Sequence, residues 1–383
     1  IDQNRWMPIE PDDAYYYITK SNVLYNDPEG INLNQSTLKQ ILNDTKNKSK
    51  ITKNEIYQLD NIDRLTKPSY FLYSKIFGFF LNKYNFDPNK IWWSINYITQ
   101  IFISLSIFLV LINFINPKNN LYFVFYFILC FFIMIPAKHQ LMSTPMVIGN
   151  SLMLIGWGIL TKYQKSIIIF FFGFLIFFVS LYFHPALFVI NFLIFLYHLI
   201  NFTFNKSVKN LKDTLIFFII PIIALLIDFI SIKFFYLNGY TGLFNMNFVS
   251  VNLSNLNLYE IFKYNIRDTL SIFKKAINTL TLIKSFKINI IIYLITLYIT
   301  YKFNKNLFYL SIVTLFAIFV GNFHYFPNHE GELIEYTINF LGIFIFSNII
   351  FSYIVAIEYL NNKFKFFNIK FAIIFLIILI SSY

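Results

Sequence analysis

The chain has 383 residues, 57% of them apolar, 21% aromatic and only 13% charged, whereas a soluble globular domain is about 45–50% apolar and about 25% charged. That composition excludes an ordinary soluble enzyme and a disordered chain. The net charge of +12 raises nucleic acid or an anionic membrane as a partner, and the distribution of the lysines decides between them. The single cysteine, Cys130, has no internal disulfide partner and says nothing about redox compartment.

The chain starts at Ile1 and stops at Tyr383 inside an apolar run, and is expected to be a piece of a longer protein. Residues 1–90 form a polar first segment. Within it Ser36 to Asn43 and Thr52 to Leu65 read as short helices around the turn Asn43 to Lys50, and Pro68 opens an amphipathic stretch, Ser69 to Tyr84, suited to the headgroup level of a bilayer. Asn34, Asn43, Asn47 and Asn252 match the N-glycosylation triplet, a pattern that arises readily by chance in so Asn-rich a chain.

A bilayer core about 30 Å thick takes roughly 20 apolar residues as a helix. In chain order the windows that qualify are Ile91 to Ile115, Leu121 to Pro136, Pro145 to Leu160, Ser166 to Phe183, Pro185 to Phe204, Thr214 to Leu237, Ile288 to Tyr301, Leu307 to Asn322, Thr337 to Ile357, and Phe371 onwards, where the last is cut short. The sequence thus predicts an all-α, polytopic transmembrane helix bundle over residues 91–383, about ten spans, preceded by a partly helical external loop over residues 1–90.

Cytoplasmic loops are enriched in Lys and Arg. One alternate set of short connections holds eleven lysines (Lys118; Lys162 and Lys165; Lys206, Lys209 and Lys212; Lys302 and Lys305; Lys363, Lys365 and Lys370) against two acids, Asp213 and Glu358. The other short set holds Lys138 against Glu330, Glu332 and Glu335. The first set is therefore assigned to the cytoplasm. Residues 1–90, 137–144, the turn at His184, the loop 238–286 and the turn 322–336 fall on the periplasmic, extracellular or luminal side. An external first segment implies one further span upstream, about eleven in all with a cytoplasmic N-terminus. Most of the positive charge is then a topology signal, and nucleic acid is not a partner.

Several residues can carry chemistry. Asp12 and Asp13 follow Pro11 at the start of an aromatic helix, where one carboxylate makes a natural N-cap; the same pair also fits a general base beside an orienting acid, because close like charges push their pKa values apart. The run Asp12-Asp13-Ala14-Tyr15-Tyr16, the stretch Lys67-Pro68-Ser69-Tyr70 leading the amphipathic helix, and the short external turn Tyr182-Phe183-His184-Pro185 resemble the membrane-embedded glycosyltransferases of the GT-C superfamily. In those enzymes the first external loop carries such an acid pair and a multi-span bundle follows. Here the first span and a C-terminal external domain are missing from the pattern.

The resemblance implies inverting transfer of a sugar from a polyprenyl-phosphate-linked donor to an acceptor hydroxyl on a glycan, lipid or protein at the non-cytoplasmic face. Asp12 matches the first acid of the pair and takes the role of base, with Asp13 orienting acceptor or partner groups. No cofactor is implied, and a divalent metal is left open. The donor phosphate calls for external cations, and Lys138, His139, His184 and Arg267 are the candidates. Each has a structural role open to it as well: Lys138 snorkelling to headgroups, His184 capping the helix begun by Pro185, and Arg267 lying on anionic lipid along the helical stretch Tyr259 to Leu282. The external turn 322–332 gathers His324, His329, Glu330 and Glu332 in a spacing that Pro327 interrupts and that does not match H-E-x-x-H, so His324, His329 and Glu330 read first as a solvated polar turn and next as an acceptor or gating loop.

A transporter or lipid flippase is the alternative, built on the intramembrane Asp228 and His198, of which His198 reads more readily as a hydrogen-bonded packing residue. An ionised side chain at mid-span costs about 2.5–3.5 kcal/mol on insertion scales, so Asp228 should face protein, with Lys233 or another helix as partner. The sidedness is tested by cysteine labelling. Asn120→Cys should label from the cytoplasmic side and Asn328→Cys from the opposite one, and labelling of residue 120 from outside overturns the assignment.

Overall fold

The structure is a computed structural model that describes residues 88–114, 145–183, 187–235 and 286–325, and residues 79, 352, 355 and 359 singly. The described part is all-helical, without a strand among the described residues. Seven helices make it up: α1 Pro88–Phe114, α2 Pro145–Lys162, α3 Ile167–Leu181, α4 Leu187–Phe204, α5 Val208–Phe235, α6 Phe286–Phe303 and α7 Lys305–Tyr325. They coincide with seven of the ten apolar windows. The windows 121–136, 337–357 and 371 onwards lie largely or wholly outside the described residues.

The start of α5 differs from expectation. The run Lys209 to Asp213 reads as part of a charged connection, yet it forms the first turns of the helix because Ser207 caps it, its Oγ accepting from the Asn210 N–H at 3.1 Å. Asn304 does the same for α7, its Oδ1 accepting from the Leu307 N–H at 3.1 Å. Buried hydroxyls satisfy themselves inside their own helices: Ser151 donates to Val147 O at 2.9 Å, Ser311 to Leu307 O at 3.0 Å and Thr314 to Leu310 O at 2.8 Å.

Two helices, Leu187–Phe204 and Val208–Ser231, are long and apolar enough to cross a membrane. The outer faces of the helices are apolar too, with Ile167 82%, Phe171 62%, Leu226 56% and Phe229 70% exposed. A surface of that kind is stable against lipid or another apolar partner and not against water.

By contacts the chain divides into two units, one of Ile1–Ile98, Tyr182–Pro185 and Ile222–Ser250, the other of Thr99–Leu181, Ala186–Pro221 and Val251–Tyr383. In the first unit Tyr182 donates its hydroxyl to Ala224 O at 2.9 Å, and Asp228, one turn further along α5, is buried at 4% exposure.

The second unit is organised around three consecutive residues of α2. A Cβ at Gly156 would meet Phe177 of α3, with Phe177 Cβ at 2.7 Å and its backbone N at 2.8 Å; a Cβ at Gly158 would meet the backbone of Leu109 in α1 at 2.9 Å. Between them Trp157 faces α4. Successive helical residues are turned by about 100°, so this tripeptide docks α2 on three neighbours at once. Small residues permit such close approach, a common device where helices pack without a hydrophobic drive between them.

One backbone defect is repaired across helices. Pro221 lies inside α5 and brings no N–H to the carbonyl four residues earlier, that of Phe217. Asn191 of α4, itself 3% exposed, donates its Nδ2 to Phe217 O at 3.2 Å. Asn191→Leu should therefore cost about 1–3 kcal/mol of stability, the penalty of a bare buried carbonyl. In a Pro221→Ala background, where the residue 221 N–H can take the same carbonyl, the cost should fall to a fraction of that; thermal unfolding of the four proteins in detergent measures it, and equal cost in both backgrounds refutes the repair.

Candidate functional site

The helix ends of the second unit meet at one place. Lys162, the last residue of α2, donates its Nζ to Ile112 O at 3.1 Å, and Asn304, between α6 and α7, donates its Nδ2 to Phe114 O at 2.9 Å. Both satisfy C-terminal carbonyls of α1, which have no intrahelical donor. Asn210 donates to Asn205 O at 2.8 Å and to Asn201 O at 3.3 Å, closing the turn from α4 to α5. Phe204 and Tyr309 stack with ring centroids 5.1 Å apart, setting the end of α4 beside the start of α7. The C-termini of α1, α2, α4 and α6 and the N-termini of α3, α5 and α7 thus share one end, which carries Lys162, Lys165, Lys206, Lys209, Lys212, Lys302 and Lys305.

Just inside this end lies a buried polar cluster. Trp157 Nε1 donates to His198 Nε2 at 2.8 Å. An indole N–H is only a donor, so Nε2 accepts and the ring proton of His198 belongs on Nδ1. That nitrogen lies 3.9 Å from Asp213 Oδ2, and Gln164, in the turn between α2 and α3, donates its Nε2 to Asp213 Oδ1. The imidazole stacks on Phe217 with centroids 4.8 Å apart and 16° between planes, while Tyr197 packs edge-on against both Trp157 and His198. Trp157, His198 and Asp213 are 3%, 5% and 4% exposed. The cluster ties α2, α4 and α5 together. With its Nε2 accepting from Trp157, His198 links α2 to α4.

His198 is therefore the hydrogen-bonded packing residue that its sequence context suggests. Trp157, Gln164 and Asp213 were not readable as its partners: Trp157 and His198 are 41 residues apart, with no local motif to join them. Asp213, in a stretch that reads as a loop, is turned inwards.

Asp12, Asp13, Lys138, His139, His184, Arg267, His329 and Glu330 lie outside the described residues, and His324 is described only as backbone in the last turn of α7. The same holds for the Lys233 side chain, so its pairing with Asp228 also lies outside what is described. Among the described residues no group of three or more His, Cys, Asp or Glu is placed to hold a metal ion. No known protein family, no curated protein and no solved structure matches this chain.

The Trp157 to His198 bond has a measurable signature. Trp157→Phe and His198→Leu should each destabilise by about 1–3 kcal/mol, because each strands a buried polar partner. The double variant should cost clearly less than the sum of the two, as expected for residues in direct contact. Additive losses in thermal unfolding would show that the two side chains do not interact.

Proposed function

We propose that the chain is a multi-pass membrane glycosyltransferase that moves a sugar from a polyprenyl-phosphate-linked donor to an acceptor hydroxyl at the non-cytoplasmic face. The observation that carries this reading is the paired acid Asp12-Asp13 in a polar segment ahead of a long apolar chain, with Lys67-Pro68-Ser69-Tyr70 opening an amphipathic stretch before the first described helix. Support for the multi-pass part comes from the described helices: two meet the length and apolarity of a span, and the three described connections of the lysine-rich set, 163–166, 205–207 and 304, lie at one end of the second unit.

In the proposed mechanism Asp12 accepts the proton of the acceptor hydroxyl as its oxygen attacks the anomeric carbon. The bond from that carbon to the phosphate oxygen breaks, the polyprenyl phosphate leaves with the electron pair, and the configuration inverts. Asp13 orients the acceptor. Lys138, His139, His184 and Arg267 supply positive charge to the leaving phosphate, with arginine able to grip it through two hydrogen bonds. His324, His329 and Glu330 form the acceptor or gating loop. The alternative, a transporter or lipid flippase, would be built on Asp228 and His198.

Asp12→Asn should lower transfer from a polyprenyl-phosphate sugar by about 10²–10⁴-fold, the usual worth of a general base, with insertion into the membrane unchanged. Asp13→Asn should weaken acceptor use more than donor use. Full activity in both variants rules out the mechanism.

A further inference from the structure

Among the described residues the shared helix end carries more lysines than acids. Among the described residues the only acids are Asp213 and Asp228, and Asp213, the one at this end, is 4% exposed and committed to Gln164 and His198. Lys165, Lys206, Lys209, Lys212, Lys302 and Lys305 are all exposed. With Asp213 buried, the described residues of this end present lysines and no exposed acid.

Directly beside these lysines the surface is apolar. Val208 is 78% exposed, Phe204 68%, Ile167 82% and Phe303 54%. A soluble anion or a nucleic acid would meet charge and hydrogen-bond donors, and would gain nothing from this apolar collar. A phospholipid joins a negative headgroup to acyl chains, and here lysines stand next to exposed Phe, Ile and Val. Lysine stems can lie along the apolar surface while the ammonium reaches the headgroup.

We propose that this lysine rim is a binding surface for anionic phospholipid headgroups of the adjoining leaflet. The proposal rests on the membrane reading of the helices and not on glycosyl transfer.

The test uses the full chain reconstituted in vesicles of equimolar phosphatidylcholine and phosphatidylglycerol, followed by mass spectrometry of the lipid that stays with the protein after extraction in mild detergent. Phosphatidylglycerol should be enriched at least about fivefold over the bulk ratio, the effect of a single lysine near an anionic surface, and enrichment should fall at high salt. Combined Lys165→Gln, Lys206→Gln, Lys209→Gln and Lys212→Gln should abolish it, while the four Lys→Arg changes should retain it. Should the Gln variant insert poorly, the wild-type chain decides alone, by its preference for phosphatidylglycerol over phosphatidylcholine. Inorganic phosphate at matched ionic strength should not displace the lipid; displacement would mean a site for free anion and overturn the proposal. No enrichment, or the same enrichment in the Gln variant, overturns it as well. Failure of the chain to enter vesicles at all would instead defeat the membrane reading beneath it.

Discussion

The close approach of α2 to its neighbours at Gly156-Trp157-Gly158 is the constraint on which the second unit depends. Two absent side chains let α3 and α1 come within contact of the α2 backbone, and the one side chain present spans the remaining direction to α4. Any Cβ at either glycine meets backbone or Cβ atoms below 3.0 Å, atoms that cannot swing aside as the end of a long side chain can. The position of Trp157, and hence of His198 and Asp213, follows from that spacing.

Around this contact the helices are nearly featureless in polarity, so the few polar groups inside them specify the arrangement. Apolar stripes can slide or rotate against one another at modest cost. A tryptophan N–H that must find an imidazole nitrogen, or an asparagine that must find one carbonyl, has one solution. The polar bonds described here join α2 to α4, α4 to α5, the α2–α3 turn to α5, and both the end of α2 and the α6–α7 connection to α1. Together they fix a register that composition leaves open.

The helices were legible because apolar runs of the right length leave the chain few alternatives, and Pro145 and Pro88 open helices where a missing N–H is harmless. The start of α5 was not, since a charged run reads as a connection and only the Ser207 hydroxyl on the Asn210 N–H marks it as a first helical turn. The His198 cluster was illegible for a different reason. Its members come from four places in the chain and share no spacing, and Asp213 looks like one more loop charge until α2 and α4 are seen around it. The paired acids and the cations that loop charge assigns to their side carry a recognisable local pattern, but their geometry belongs to segments outside the described residues.

The bond from Asn191 to the Phe217 carbonyl also bears on how such a chain can be assembled. Synthesis proceeds from the N-terminus, so α4 is made before α5, and the amide that replaces the missing Pro221 N–H is in place before the carbonyl that needs it. A proline in the second helix of a pair is then tolerable wherever water is scarce, because its partner has already been made. With the order reversed, the carbonyl would wait unsatisfied until the rescuing helix arrived. The position of this proline, after its donor in the sequence and not before it, is thus itself a condition on the order of assembly.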